Sequence, residues 1–298
     1  MTSLHKTYRP KRWKDLIGQE KASTLLQSLI KKPPTCLLLT GPSGCGKSSA
    51  GRLFAKSLTE FDSDIVDENV GSDRGIGVIR ELIELSKMKP FGKKRVFILD
   101  ECDRLTNEAK SALLKPLEEP SPNCVWVLIT SRPFNLPEDA KTRLLSVAFN
   151  RVKDDDIKEL LKKVIDKESI ILGKGVLDSI AKLALGSPRR ALVTLEKLSN
   201  IAPKSQLGYL ETSTDKQEIN ILKLFYNKDY KGFNKALFDL HSKASLQDII
   251  FGLLETNLKL LGHPSKYDPM LIARTHVKLL ALKLSFEPSV LQLLTLLT

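Results

Sequence analysis

Apolar and polar positions follow two different periods along the chain, and the change between them divides it. Three short apolar runs are bounded by turn residues: Cys36-Leu37-Leu38-Leu39, Val96-Phe97-Ile98-Leu99 and Val125-Trp126-Val127-Leu128-Ile129. Runs this short, unbroken by polar positions, suit strands covered on both faces, because both side-chain rows must then be apolar. Around them lie helical patterns: Gln19 to Ile30, Lys47 to Leu58, Val78 to Lys87 and Asn107 to Leu117. Strands alternating with helices predict an α/β domain with a parallel sheet over residues 1–150. Beyond Asn150 the period becomes helical throughout. Lys153 to Ile170 and Val176 to Leu185 are amphipathic, and Ser187 to Leu198 opens with a capping serine and a proline at the first helical position. Residues 200–216, rich in Asn, Pro, Ser, Gly and Thr, predict a linker. Helical patterns follow at Leu222 to Tyr226, Leu246 to Leu261 and Met270 to Leu284. The predicted division is an α/β domain (1–150), a small helical domain (151–202) and a larger helical domain (203–298).

Composition narrows the function classes. Of 298 residues, 42% are hydrophobic and 28% charged, a balance that buries cores and argues against global disorder. The net charge is +12, and most of the excess precedes residue 200, where 35 basic residues face 26 acidic ones. Such an excess serves a polyanionic partner or general solubility. No apolar stretch follows Met1, and no run approaches the roughly 20 residues of a membrane span, so a soluble protein of a reducing compartment is expected. Cys36, Cys45, Cys102 and Cys124 form no CxxC pair and have no histidine at ligand spacing, so a zinc site is not expected.

The chemistry starts at Gly41-Pro42-Ser43-Gly44-Cys45-Gly46-Lys47-Ser48, which fits GxxxxGK[ST] between a predicted strand and a predicted helix. Backbone N–H groups of such a turn and of the helix start lack intrahelical partners, and they point at phosphates. Lys47 is placed on the β- and γ-phosphates of ATP, Ser48 and the neighbouring Ser49 line the nucleotide, and the Ser48 hydroxyl is a Mg²⁺ ligand. The second apolar run ends in Asp100-Glu101. At the carboxyl end of a parallel strand, Asp100 can hold the Mg²⁺ shell while Glu101 orients or deprotonates a water.

With these motifs and several others, residues 4–199 resemble the AAA+ ATPases of the clamp-loader branch. Tyr8-Arg9-Pro10 followed by Ile17-Gly18-Gln19-Glu20 is similar to the segment that wraps the adenine in that family. Asp100-Glu101-Cys102-Asp103 resembles its acidic box, and Leu113-Leu114-Lys115-Pro116-Leu117-Glu118-Glu119-Pro120 is close to the bacterial pattern LLKTLEEP. Gly186-Ser187-Pro188-Arg189-Arg190-Ala191-Leu192 fits the sensor-2 stretch, which implies that Arg189 reaches the γ-phosphate and that Arg190 is a surface charge. Two positions depart from the family. Thr130-Ser131 occupies the place of sensor 1, usually Asn or Thr, and Ser131 aligns best. Thr142-Arg143-Leu144 stands where the family has Ser-Arg-Cys, so Arg143 is the candidate arginine finger for a neighbouring subunit's ATP, with Arg132 its competitor. The resemblance implies a P-loop AAA+ parallel-sheet domain, a small helical lid and an all-helical collar that holds an assembly together.

Partners follow from the same resemblance. Asn69 to Ile76, leading into Arg80, is similar to the segment that tracks duplex phosphates, which makes Arg74 and Arg80 candidates for sequence-independent contacts. The alternative for Arg80 is an i,i+4 pair with Glu84. Phe91, at the end of that helix, stands where clamp loaders insert an apolar side chain into the sliding clamp, or else it is buried under the next loop. Together these imply an ATP- and Mg²⁺-dependent, DNA-stimulated ATPase that opens a sliding clamp and loads it onto primer–template DNA. It would work within a ring or spiral of subunits, pentameric in the family, at the cytoplasmic or nuclear site of replication. The alternatives are another AAA+ motor acting on DNA (a branch-migration helicase or helicase loader) and a structural, non-hydrolysing subunit.

Overall fold

The structure, a computed structural model, describes residues 3–70, 75–119, 121–131, 144–213, 221–222, 224–227 and 229–241, with single positions 253, 275 and 278. The chain forms two compact units, Met1–Ala202 and Pro203–Thr298. In the first, five parallel strands make one sheet: β1 (Cys36–Thr40), β2 (Ile65–Asn69), β3 (Arg95–Asp100), β4 (Cys124–Thr130) and β5 (Leu145–Ala148), in the spatial order β2-β3-β4-β1-β5. The strand preceding the P-loop is therefore interior, and β3, which ends in Asp100, is separated from it by β4 alone.

The three apolar runs become β1, β3 and β4 because each must feed two hydrophobic layers. Val96, Ile98, Val125, Val127 and Ile129 pack with Leu37 and Leu39 against Leu26, Ala50 and Phe54 of helices α2 (Glu20–Leu29) and α3 (Lys47–Leu58). The alternate side chains, Phe97, Leu99, Trp126 and Leu128, meet Ile79, Leu82, Leu113 and Leu117 of α4 (Ile76–Lys87) and α5 (Asn107–Glu118). Phe97 and Trp126 stack across neighbouring strands with centroids 4.3 Å apart. The edge strands β2 and β5 were not expected from the sequence. Their polar residues face solvent, with burial confined to Val147 in β5, so they show neither an unbroken apolar run nor a clean alternation.

Beyond the sheet, α6 (Asp154–Glu168), α7 (Val176–Leu183) and α8 (Pro188–Ser199) pack through Ile157, Leu161, Val164, Ile180 and Leu195, all fully buried. Ser187 caps α8, its hydroxyl accepting the Arg190 N–H at 3.3 Å. A short N-terminal helix, α1 (Leu4–Thr7), is tied to α8, where Glu196 accepts the Ser3 hydroxyl at 2.5 Å and the Leu4 N–H at 3.3 Å.

The predicted linker is corrected. Pro203–Ser213 is helix α9, opened by a proline in its first turn and burying Gln206 and Leu210. The small polar residues that suggested a loop lie on a helix whose apolar content is low. The second unit also holds α10 (Tyr230–His241), where Phe233 and Leu237 are buried and Phe225 packs on Phe233 at 5.7 Å. The helical patterns Leu246 to Leu261 and Met270 to Leu284 lie almost wholly outside the described residues. So do Arg74, Arg132 and Arg143. Among the described residues, no helix is long and apolar enough to cross a membrane.

Candidate active site

The P-loop turn runs from β1 into α3 and owes its shape to glycine. Gly41, Gly44 and Gly46 all have positive φ, which L side chains rarely adopt. At Gly41 a Cβ would sit 2.2 Å from the Phe149 carbonyl oxygen, and at Gly44 one would sit 2.2 Å from the Ser187 hydroxyl. Backbone thus approaches backbone on one side of the turn and the lid on the other.

Lys47, the first residue of α3, is buried, and its Nζ donates to the carbonyls of Gly41 and Pro42, each at 2.7 Å. Burial lowers its pKa, partly offset by Cys45 and Asp100. A buried ammonium held by neutral carbonyls favours an anion beside it, since an unpaired buried charge is costly. The Ser48 hydroxyl donates to Asp100 Oδ2 at 2.5 Å, so the two predicted metal ligands already share one point. The ligand set, one hydroxyl and one carboxylate oxygen, suits Mg²⁺, which takes few protein ligands and keeps waters and phosphate oxygens.

Glu101 follows with φ 59°, a left-handed conformation that is uncommon for a side chain of this kind. Its N–H donates to Asp100 Oδ1 at 3.0 Å, and its carboxylate pairs with Arg104 at 3.1 Å. Strain of this sort costs roughly 1–3 kcal/mol and clusters at functional sites. On β4, Thr130 is buried and donates its hydroxyl to Asp103 at 2.8 Å, while Ser131 lies past the strand end and is exposed. The two candidates at that strand end therefore divide, with Thr130 tied to the acidic box and Ser131 facing solvent.

A cavity of about 380 Å³ joins the P-loop, with Lys47 and Ser48, to the lid and the N-terminal segment. Its walls include Tyr8, Arg9, Pro10 and Ile17, the P-loop from Gly44 to Ser49, and Leu160, Pro188, Arg189 and Leu192 from the lid. Arg189 stands over the loop, its backbone N–H 3.5 Å from the Gly44 carbonyl. Arg190 is half-buried rather than the surface charge expected, with its own interactions at the start of α8. Neighbouring residues of the N-terminal segment diverge. Tyr8 turns to the lid and donates to Glu168 at 2.6 Å, and burial together with that carboxylate pushes its hydroxyl up to about 12. Arg9 instead faces the charges of Arg52, Asp67, Arg189 and Asp100, and burial lowers its pKa. Arg52 is itself held by an ion pair with Asp67 and lies 3.4 Å from the Ser48 carbonyl. Gly18 and Gln19 do not line the cavity. Gln19 bridges the Asn150 backbone, donating to its carbonyl at 2.7 Å and accepting its N–H at 3.2 Å, and Gly18 packs on Val152, so both build the joint between core and lid.

The remaining expectations sort the same way. All four cysteines are buried free thiols. Arg80 is exposed, and Glu84 pairs with Lys87 at 2.6 Å instead of with Arg80. Phe91 is 78% exposed, which removes the alternative that it is buried. The lid leucines Leu160 and Leu192, and the Tyr8–Glu168 and Ser3–Glu196 links, were not singled out from the sequence. Their helical spacing marks the leucines only as apolar, and nothing local marks links between residues so far apart in the chain.

Residues 62–153 match the family described as DNA polymerase III, delta subunit. DNA polymerase III subunit tau of Bacillus subtilis is 31% identical over 65% of this chain and 39% of its own length. A replication factor C small subunit of Methanococcus maripaludis is 30% identical over 65% of this chain and 64% of its own. The chain thus spans less than two thirds of either relative. Among solved structures, the RuvB Holliday junction branch migration motor of Thermotoga maritima superposes with a TM-score of 0.58 at 20% identity, covering 73% of this chain and 78% of that one, which is a likeness of fold. In its motifs, its strand order and these relatives, the chain is similar to the AAA+ ATPases of the clamp-loader branch.

Proposed function

We propose that the chain is an ATP-hydrolysing subunit of a sliding-clamp loader. The observation that carries the ATPase reading is the 2.5 Å contact of Ser48 with Asp100 beside Lys47, with the strained Glu101 next in the chain. ATP would lie in the cavity with its phosphates on the P-loop amides, Lys47, Arg9 and Arg189, and its base between the Tyr8–Ile17 segment and the lid leucines. Mg²⁺ held by Ser48 and Asp100 would supply charge neutralisation at the phosphates. Glu101 would release Arg104 and accept a proton from the attacking water, and Ser131 would help to position that water. Arg143 of one subunit would complete the phosphate site of the next, so that turnover requires assembly.

The clamp-loader part of the reading is supported by the relatives in replication and by the exposed Phe91. Arg74 and Arg80 would contact duplex phosphates. The second unit would form the collar of a ring or spiral, pentameric by analogy. Residence at the site of DNA replication belongs to the same reading. The fold likeness to RuvB keeps a second reading, a branch-migration motor, in play. The test is a pair of assays on the purified chain with its partner subunits. Transfer of a labelled clamp to primed circular DNA in the presence of ATP is expected, with no strand displacement. Strand displacement without clamp transfer would favour the branch-migration motor. Nucleotide binding without single-turnover hydrolysis would favour a structural subunit.

A further inference from the structure

At the end of β3 remote from Asp100, three large apolar side chains stand in solvent: Phe91 at 78%, Met88 at 61% and Phe61 at 51% exposure. Single exposed hydrophobics are ordinary on a protein surface, but these share one corner. A Cβ on Gly92 would lie 3.4 Å from the Phe61 ring, which brings the segment before β2 against the turn that carries Phe91.

Beneath the corner is a buried ion pair, Asp64 and Arg95, 3.6 Å apart with side chains 0% and 6% exposed. Asp64 accepts the N–H groups of Phe91 at 3.0 Å and Gly92 at 2.7 Å. Arg95 donates to the carbonyls of Leu85 at 2.8 Å, Met88 at 3.2 Å and Lys89 at 3.2 Å. The end of α4 and the whole turn into β3 are thus held from below by one carboxylate and one guanidinium. A buried ion pair is a poor source of net stability, because desolvation offsets most of the attraction. What it gives here is a fixed backbone path for an exposed apolar turn. Holding such a turn in one conformation before binding removes much of the ordering cost of an interface.

We propose that Asp64 and Arg95 are positioning residues for a preformed docking tip, Phe61, Met88 and Phe91, that enters an apolar pocket with an acidic rim on the sliding clamp. The inference rests on the clamp-loader reading above. Charge complementarity sets the rim: residues 87–94 contain Lys87, Lys89, Lys93 and Lys94 and no acid. Two of these lysines pair at the surface with Glu84 and Glu60, at 2.6 and 3.2 Å. Exposed pairs of that kind contribute little and can exchange for carboxylates of a partner.

The experiment is equilibrium binding of the full chain to the purified sliding clamp of its source organism, with ATP affinity measured on the same samples. Phe91→Ala is expected to weaken clamp binding at least tenfold, and Phe61→Ala and Met88→Ala several-fold, all with unchanged ATP affinity. Asp64→Asn is expected to weaken clamp binding several-fold, again with ATP affinity intact. In the double variant with Phe91→Ala, clamp binding should be no weaker than with Phe91→Ala alone, because the pair acts only through the tip. Arg95→Lys, which keeps the charge and loses the three-carbonyl fork, replaces Asp64→Asn if that variant does not fold. Additive losses in the double variant, or tip variants that bind the clamp as tightly as the wild type, overturn the inference while the clamp-loader reading stands. A wild-type chain that does not bind the clamp removes both.

Discussion

At the scale of single residues, the site gathers cations at the P-loop. Lys47 Nζ donates to the carbonyls of Gly41 and Pro42, and Arg9 and Arg189 share the cavity with it. Gly44 sets the distance between this cluster and the lid. In Gly44→Ala the new Cβ would displace the Ser187 hydroxyl that caps α8 and force a left-handed alanine. Together these changes should cost about 2 kcal/mol and weaken ATP binding at least tenfold, as nucleotide titration would reveal. Tyr8 gives a pH-dependent test of the link to the lid. Its hydroxyl pKa is raised, so the stabilisation from the neutral phenol is complete below about pH 10 and is lost as pH rises toward about 12. A difference in stability between the wild type and Tyr8→Phe should therefore persist at neutral pH and vanish in that alkaline window. The turn at Gly41–Ser48 and the strand end at Asp100 were legible in the sequence, the turn because its glycines and Lys-Ser pair stand at fixed spacing and the strand end because an unbroken apolar run precedes it. Gln19 was misread. Its motif was visible, but its backbone bridge to Asn150 depends on a contact 131 positions away.

At the scale of elements, legibility followed burial. The strands β1, β3 and β4 announced themselves because both of their faces are covered, whereas β2 and β5 lie at the sheet edges and carry polar residues. Helix α8 was readable from its start, where Ser187 and Pro188 form a capping pair. Ser187→Ala should cost about 1 kcal/mol in denaturant unfolding, with the loss concentrated in the lid and not in the sheet. Helix α9 was hidden because its small and polar residues resemble a linker, while its burial of Gln206 and Leu210 is tertiary. The local preference for a loop is weak and the packing overrides it.

At the scale of the whole molecule, the charge excess gains a direction. Of the +12, Lys47, Arg9 and Arg189 line one cavity, and Arg80 stands exposed on α4 without the Glu84 pair that its spacing suggested. Duplex binding should be strongly salt-dependent and indifferent to sequence, and Arg80→Ala should lower the logarithmic salt slope by about 1. Equal weakening at one particular base sequence alone would contradict that assignment. In the proposed function, ATP turnover at this site is coupled to DNA and to a clamp. Steady-state ATP turnover by the assembled complex tests it most directly, measured with and without primer–template DNA and clamp, for the wild type and for Glu101→Gln. Turnover is expected to rise when both are present, and to fall about 10²–10⁴-fold in Glu101→Gln with ATP still bound. Turnover that ignores both DNA and clamp, or that survives Glu101→Gln, would contradict it.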